Sequence, residues 1–366
     1  MPPSSTPDTY SSPVIQAIDA SFKAAGLVRS LRGKEAAFAG RMQLKHMAPE
    51  ELRQTAPLPR VAANGVQWLP VPGWEKIGWL WHGFSTRRGG VSRAYCPEDT
   101  PGELNLGFTA DDRREAVARN RRLLAEAVTG DPATPLVTVR QIHSTVLAVV
   151  GEADAARERP RKAGVPSDGT LSLGCKADGM MTGKPGLLLG VQTADCIPVL
   201  VADRKHRVVA AFHAGWRGTV NRIVESSVGR MPLEFGSRPE DLMAAIGPGI
   251  GACCYAIGEE VLSGFESQFV YARELFREVY DSDPVRTKYP MLFLTQRAPG
   301  HSSIGPSLHL DLVEANRRQL LAAGLKPRSI KVVGGCTSCQ PELFFSHRAS
   351  QGRAGRMMSV IGIRPR

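Results

Sequence analysis

The stretch QTADCIPVLVADRKHRVVAAFHAGWRG, residues 192–218, contains two apolar runs on either side of a polar turn. The runs at 197–202 and 208–212 are too short for helices and have the composition of buried strands. The turn at 203–206 is short enough to join them directly. The stretch therefore predicts a β-hairpin, in which we expect Val201 to lie opposite Val208.

The same pairing places Cys196 opposite His213, just beyond the ends of the two runs. Directly opposed residues have Cβ atoms about 4.5–5.5 Å apart, which lets a thiolate and an imidazole bind one metal ion. Pro198 cannot donate a hydrogen bond to the ladder, and a bulge there would separate the two side chains. The alternative is a buried cysteine near a hydrogen-bonded core histidine.

A third metal ligand is available in His143, a polar residue inside the strand-like run at 136–150. By itself it is more typical of a hydrogen-bonded core histidine. With Cys196 and His213 it completes a His₂Cys set, and three protein ligands with an open fourth position define a catalytic zinc site. Copper is the less favoured metal, because blue-copper sites with these ligands usually add an axial methionine.

Outside the hairpin, short strand-like runs alternate with isolated helical patterns. This mixture predicts an α+β fold, in which mixed β-sheets are covered by helices in a single layered α/β sandwich domain. We predict an N-terminal extension over residues 1–64, partly disordered or helical, and one domain over 65–366 with insertions near 151–175 and 270–308. Further strands are expected at 77–85, 136–150, 242–246, 330–333, 343–347 and 357–363, and helices at 111–127, 219–231, 259–278 and 311–324.

Composition excludes several classes of protein. The chain has 366 residues, 42% of them hydrophobic, and its 46 Lys and Arg against 35 Asp and Glu give a net charge of +11. A disordered chain has fewer apolar residues, and the glycines show no collagen triplet. The positive charge suggests an acidic partner, but no helix-turn-helix, RRM or zinc-finger pattern accompanies it, so we expect no nucleic-acid partner.

The cysteines indicate a reducing compartment, because seven is an odd count and too few for a disulfide scaffold in a chain of this length. No apolar run is long enough to span a membrane, and no signal peptide is visible. We therefore predict a cytoplasmic protein with no membrane partner, organelle targeting by the N-terminal extension being the alternative. Adjacent Cys253 and Cys254, and the CxxC of Cys336 and Cys339, are interpreted as small packed residues, since one CxxC is weak evidence for zinc.

Eight motifs in order along the chain carry a family resemblance. They are HGFSTR at 82–87, GGVS at 89–92, LNLG at 104–107, QIH at 141–143, ADG at 177–179, TADCIPV at 193–199, HAGWRG at 213–218 and IGPGI at 246–250. With these motifs the chain resembles the laccase-domain family, also called polyphenol oxidase-like proteins, understood as zinc-dependent purine nucleoside phosphorylases. The resemblance covers about residues 77 to 363.

The resemblance implies that His143, Cys196 and His213 are the zinc ligands and carry the catalysis. It implies phosphorolysis of adenosine, inosine, guanosine or methylthioadenosine to the free base and (thio)ribose 1-phosphate, with adenosine deamination as a second activity. Its partners would thus be purine nucleosides and phosphate. The sequence does not indicate an oligomeric state.

Further motif residues are candidates for binding substrate or phosphate. They are Arg87, Asn105, Asp195 and Arg217. Arginine recognises phosphate through a planar, permanently charged group, and for each arginine a surface or structural role is the alternative. Asp178 and Asp195 are the nearest motif carboxylates for acid–base chemistry.

Two other enzyme classes remain open. A copper-dependent phenol oxidase fits the ligand types, although multicopper oxidases use His-x-His pairs and the sequence has none. A cysteine hydrolase would use Cys196 as nucleophile, with His143 or His213 as its base.

Overall fold

The computed structural model describes residues 45–47, 57–151, 170–279 and 307–365. Residues 44–366 form one compact unit, and a strand at Arg60–Val61 lies upstream of the predicted boundary at residue 65. The predicted extension, and most of both predicted insertions, lie outside the described residues. Among the residues that are described, no helix is both long and apolar enough to cross a bilayer.

The elements follow one another with short connections. The strands are β1 (Lys45–Met47), β2 (Arg60–Val61), β3 (Gln67–Leu69), β4 (Leu80–Ser85), β5 (Arg88–Ser92), β6 (Leu136–Arg140), β7 (Leu147–Val149), β8 (Thr170–Lys176), β9 (Gly179–Thr182), β10 (Leu188–Thr193), β11 (Ile197–Asp203), β12 (Val208–Ala214), β13 (Leu242–Ile246), β14 (Ala256–Ile257), β15 (Phe276–Val279), β16 (Ser307–Leu310), β17 (Ile330–Val332) and β18 (Met357–Ile363). The helices are α1 (Arg114–Thr129), α2 (Trp216–Val220), α3 (Ile223–Phe235), α4 (Glu259–Gln268) and α5 (Leu312–Ala322).

Two large mixed sheets form the centre of the fold. One has the strand order β2-β3-β4-β18-β10-β6-β8, the other has the order β17-β13-β11-β12-β9-β7, and a small sheet has the order β1-β15-β16-β14. Both large sheets combine parallel and antiparallel pairs: β10 pairs parallel with β6 and antiparallel with β18, and β13 pairs parallel with β17 and antiparallel with β11. The predicted mixed sheets are therefore confirmed.

The two large sheets pack face to face, and helices cover their outer faces. Leu200 and Val209 of the six-stranded sheet join Ile361 of the seven-stranded sheet in the central core. On the far side of the six-stranded sheet, Phe212 packs with residues of α3, α4 and α5. Leu124 of α1 covers the other outer face. This is the layered α/β sandwich that the sequence predicted, because strands that are apolar on both faces must be covered on both.

The predicted hairpin is present, but its register differs from the prediction by two positions. Asp203 pairs with Val208, and His213 pairs with Pro198 instead of Cys196. The reason lies in the turn: Asp203 stays in β11, and its carboxylate accepts hydrogen bonds from the backbone N–H of Lys205 and His206 at 2.7 and 3.0 Å. A shift of two positions keeps every side chain on its predicted face, because the strand repeat is two.

Four other predicted elements also require correction. The predicted turn at 87–90 is largely part of strand β5, whose ends pair with Glu103. The predicted strand at 136–150 is two strands separated by a loop, and the predicted helix at 259–278 ends at Gln268. No strand forms at 343–347, where turns replace the ladder. In each case tertiary contacts override the local pattern.

A buried histidine in β4 makes the fold sensitive to acid. Burial lowers the pKa of His82 to about 4, against smaller opposing effects of Glu75 and the Trp74 backbone. Between pH 6.5 and 4 the unfolded chain binds a proton there that the folded protein does not, which costs about 2–3 kcal/mol of stability by pH 4.5. Above pH 6.5 the effect vanishes.

We expect His82→Asn to lose less stability than the wild type between pH 7 and pH 4.5. The backbone N–H of Val71 donates to Nδ1 of His82 at 3.2 Å, and an asparagine oxygen can accept that bond without titrating. Urea unfolding at both pH values measures the difference. Parallel losses in the two proteins would show that His82 does not contribute.

Candidate active site

His143, Cys196 and His213 meet at one end of the hairpin. Their ligand atoms all lie within 4.8 Å of one another, with Cys196 Sγ 3.8 Å from His143 Nε2. The two imidazole rings meet edge to face, with centroids 4.9 Å apart. A thiolate and two imidazoles are ligands that zinc prefers in proteins, and three of them leave a coordination position open.

Cys196 reaches His213 diagonally across the hairpin. His213 lies opposite Pro198, and a diagonal neighbour in a ladder remains within reach of a side chain. Asp195 places Cys196 by adopting φ 93°, a conformation that is costly for a residue other than glycine. Its carboxylate accepts hydrogen bonds from Thr337 Oγ1 at 2.6 Å and from the backbone N–H of Arg348 at 2.7 Å.

His143 lies in the loop between β6 and β7, with φ 60°. Asp178 holds this loop: its buried carboxylate accepts the backbone N–H groups of His143 at 2.9 Å and Ser144 at 2.6 Å, and the Ser144 hydroxyl at 2.7 Å. The same carboxylate lies 2.9 Å from Nδ1 of His213. Asp178 therefore fixes the backbone at one candidate ligand and the ring of another.

The bond to Asp178 also sets the tautomer of His213. Despite its burial, the hydrogen bonds from His213 and Ser144 hold the pKa of Asp178 well below its usual range, so the carboxylate is ionised and can only accept. Nδ1 of His213 must then carry a proton, which leaves Nε2 as the metal-binding atom. A carboxylate behind a histidine ligand is the usual outer support of a metal site.

Electrostatics favours the thiolate that a metal needs. Burial raises the pKa of Cys196, but the neighbouring His213 and His143 outweigh it, and the pKa falls to about 6. Burial lowers the pKa of His213, but Cys196 and Asp178 outweigh it, and the pKa rises to about 9. In the absence of metal the two side chains therefore form a thiolate–imidazolium pair, and thiolate is the metal-binding form of cysteine.

Gly215 leaves room for the three side chains to converge. A Cβ at this position would lie 2.9 Å from Cδ2 of His143 and 3.0 Å from Sγ of Cys196. We expect Gly215→Ala to lower zinc affinity by about 10-fold or more, because it pushes two candidate ligands apart. Metal content after dialysis against a chelator series measures this.

Gly229 provides the matched control, because it lies in α3 and a Cβ there meets no atom within 4 Å. Gly229→Ala should leave zinc affinity unchanged and stabilise the helix by about 0.5–1 kcal/mol. Equal zinc affinity in both variants would contradict the assigned role of Gly215.

The three side chains open into a cavity of about 560 Å³, a size that suits a small organic ligand. The cavity is lined by Val139, Arg140, Gln141, His143, Gln192, Thr193, Ala194, Asp195, Cys196, His213, Ile250, Tyr255, His347, Arg348 and Arg356. Three arginines and one aspartate thus give the cavity a positive charge. Tyr255 remains a neutral phenol, because burial, with smaller charge effects, raises its pKa to about 12.

The other predicted binding residues lie at different distances from this cavity. Asp195 lines it, whereas Arg87 lines a separate pocket, forms a 2.7 Å ion pair with Glu103 and packs over Phe345. Arg217 is exposed and packs over Trp216. The structure therefore does not bring the two predicted arginines to the cavity.

Asn105 is buried behind the cavity wall. Its side-chain oxygen accepts the backbone N–H of Arg356 at 2.8 Å, and its amide donates to Asp112 at 2.7 Å. Asn105 therefore positions a residue of the cavity lining instead of lining the cavity itself.

Sequence reasoning missed several residues of the site. Arg140, Arg348 and Arg356 line the cavity from three separate parts of the chain, and no local spacing connects them. The support role of Asp178 was also missed, although its place in the ADG motif was a usable signal. The dense C-terminal arginines were visible in the sequence, but without a fold they had no assigned site.

A layered α/β protein with a His₂Cys cluster opening into a charged cavity has the features of a metal-dependent enzyme. The family model described as multi-copper polyphenol oxidoreductase laccase matches residues 81–364. The chain belongs to this family, whose curated relatives include proteins named purine nucleoside phosphorylase.

Individual relatives cover most of the chain. The purine nucleoside phosphorylase of Bacteroides thetaiotaomicron is 33% identical over 282 residues, which are 77% of this chain and 91% of the relative. The adenosine deaminase RL5 of an unknown prokaryotic organism is 31% identical over 281 residues, 76% of this chain and 92% of the relative. The crystal structure of the hypothetical protein YfiH of Bacillus licheniformis aligns with a TM-score of 0.66 at 30% identity, covering 84% of this chain and 99% of that one.

Proposed function

We propose that the protein is a zinc-dependent purine nucleoside phosphorylase, acting on adenosine, inosine, guanosine or methylthioadenosine. The observation that supports this most is the cluster of His143, Cys196 and His213 at a cavity that also carries three arginines. The cluster suits a catalytic metal, and the arginines suit an anionic co-substrate. Relatives named purine nucleoside phosphorylase supply the reaction.

The three side chains fit zinc by their chemistry and by their convergence. His143, Cys196 and His213 would hold the ion, with Asp178 fixing the third ligand and Gly215 leaving the space between the first two. Bound there, zinc supplies Lewis-acid chemistry, polarising a substrate oxygen or activating water. Copper fits less well, because no methionine lines the described cavity to act as an axial ligand.

The arginines would hold phosphate as the attacking nucleophile. Arg348 and Arg356 lie on the cavity wall and are fixed by hydrogen bonds to the backbone carbonyls of Ala256 and Ala354. A fixed guanidinium stabilises an anion without reorganising during the reaction. Phosphorolysis also needs a place for the purine, and Tyr255 and Ile250 provide an apolar surface with one phenolic donor on the same wall.

Neither motif carboxylate is well placed as a general acid. Both oxygens of Asp195 accept hydrogen bonds within the protein, and Asp178 is ionised and fully buried. These two residues therefore position the ligands of the metal site. Tyr255, which keeps its proton at neutral pH, is the lining residue able to donate to the departing base.

Adenosine deamination is a second candidate activity. The relative named adenosine deaminase RL5 supports it, and zinc-activated water would be the attacking group. The H-x-E and P-C-x-x-C signature of the known zinc nucleobase deaminases is absent from the sequence. Deamination here would therefore use a different arrangement of residues.

We also propose that the protein works in the cytoplasm on small molecules, without nucleic-acid or membrane partners. All seven cysteines are free thiols, which favours a reducing compartment. Salt-dependent binding to random DNA would count against this proposal.

The products of inosine and adenosine cleavage test the function. With zinc-loaded protein we expect free base and ribose 1-phosphate when phosphate is present, and neither when it is absent. Free ribose that forms without phosphate would identify a hydrolase instead. Inosine formed from adenosine reports deamination separately, and oxidation of a phenol would favour the copper oxidase.

We expect Arg348→Ala to raise the KM for phosphate by about 10- to 100-fold, because a hydrogen bond to a charged group contributes about 1.5–3 kcal/mol. Its backbone N–H, which holds Asp195, is unaffected by the change. Arg217→Ala is the control, since Arg217 is exposed and does not line the cavity. Initial rates against phosphate concentration measure both. An equal phosphate KM in the two variants would remove Arg348 from the phosphate site.

A further inference from the structure

Four cysteines outside the active site converge from two distant parts of the chain. Cys253 and Cys254 follow β13, and Cys336 and Cys339 follow β17; we call these residues the four-cysteine cluster. Their sulfur atoms all lie within 4.8 Å of one another, and Cys339 Sγ is 3.4 Å from Sγ of both Cys253 and Cys254. The sequence analysis treated the two pairs as separate packing residues, because their meeting depends on the fold.

The backbone around the cluster is built for this approach. Gly249 and Cys336 form a parallel bridge, and the backbone N–H of Thr337 donates to the Gly249 carbonyl at 3.0 Å. A Cβ on Gly251 would lie 3.2 Å from both Cys253 Sγ and Cys336 Cβ. Only a residue without a side chain fits easily between the two cysteine segments.

The separations suit a tetrahedral metal better than they suit simple packing. With Zn–S bonds of about 2.3 Å, neighbouring sulfurs of a tetrahedral site lie about 3.8 Å apart. The 3.4 Å contacts are close to this value, so the ion needs only a small expansion. Cys253 and Cys336 are buried and the other two are half-buried, which is typical of a closed site with no position for substrate.

A disulfide explains the cluster less well. Cys339 is equally close to Cys253 and Cys254, so no single pair is selected, and one bond would leave two buried or half-buried thiols beside it. All four are free cysteines in the structure. Four thiolates around one soft divalent cation use every sulfur.

We propose that the four-cysteine cluster is a second, structural zinc site, distinct from the His₂Cys site and closed to substrate. The zinc would tie the segment after β13 to the segment after β17. Both segments contribute to the wall of the cavity: Tyr255 directly follows Cys254, and Thr337 between the two late cysteines holds the carboxylate of Asp195. The second zinc would therefore stabilise the wall of the active site without touching substrate.

Zinc analysis of purified protein tests the proposal independently of any enzymatic activity. We expect about two zinc ions per chain in the wild type and about one in Cys196→Ala, in which only the closed site keeps all its ligands. Cys339→Ser should also keep about one ion and unfold at a lower temperature. Cys175→Ser, which replaces an exposed cysteine outside both clusters, should keep both ions.

Cobalt substitution in Cys196→Ala identifies the ligands even if Cys339→Ser does not fold. The remaining ion should show intense thiolate-to-cobalt charge transfer, because the only cysteine of the His₂Cys site has been removed. A Cys196→Ala protein that binds no metal, a cobalt spectrum without thiolate bands, or a thiol count that shows a disulfide in the cluster would each overturn the proposal.

Discussion

Cys196→Ala is expected to abolish zinc binding at the His₂Cys site and to lower phosphorolysis by about 1,000-fold or more. The thiolate is the only anionic ligand of the three, and its pKa of about 6 keeps it ionised at neutral pH. The two remaining imidazoles provide neither the charge nor the third bond that holds the ion. Zinc content and the rate of hypoxanthine release from inosine measure the two effects.

Cys175→Ala is the matched control, because it removes an exposed thiol in β8 that belongs to neither cluster. It should retain wild-type rate and zinc content. Cys196→Ala protein that turned over inosine at the wild-type rate with unchanged zinc would remove Cys196 from the site. Loss of activity with zinc fully retained would instead favour the cysteine as a nucleophile.

Asp178→Asn is expected to weaken zinc binding by about 10- to 100-fold and to lower the free energy of unfolding by about 3 kcal/mol. Asp178 accepts hydrogen bonds from two loop N–H groups, the Ser144 hydroxyl and His213. An amide turns a donor toward some of these donors and removes the charge that fixes the His213 tautomer. Zinc titration and urea unfolding measure the two losses.

Asp203→Asn separates the two effects. Asp203 is also a fully buried carboxylate that accepts backbone hydrogen bonds, but it lies at the opposite end of the hairpin from the site. We expect it to lose stability with no change in zinc affinity. If Asp178→Asn affected stability alone, as Asp203→Asn should, then Asp178 would support the fold and not the ligands.

The fold was largely predictable from the hairpin outward. The apolar runs at β11 and β12 are buried on both faces, and a double-faced apolar strand indicates a covered sheet. The register was not predictable, because it depends on whether Asp203 belongs to the strand or the turn. That choice is made by the hydrogen bonds from Lys205 and His206 to its carboxylate.

The site was predictable in its ligands but not in its surroundings. His143, Cys196 and His213 were assembled from strand pairing and motif resemblance, and the structure brings them together. The pairing argument succeeded with a wrong register because the shift preserved the face and left the ligands diagonal neighbours.

The cavity arginines and the four-cysteine cluster are long-range features of the fold. Gly249 and Cys336 are far apart in sequence yet form a β-bridge, and no local periodicity reports such a contact. The predicted arginines failed for the same reason: Arg87 lies in a conserved-looking stretch of polar residues, but Glu103 occupies its charge away from the cavity.

The most direct test of the account is the rate of phosphate-dependent hypoxanthine release from inosine by zinc-loaded, chelator-treated and zinc-restored protein. We predict that chelation abolishes release and that zinc restores it, with ribose 1-phosphate as the sugar product. Full activity after verified removal of zinc from the His₂Cys site, or restoration by copper and not by zinc, would contradict it.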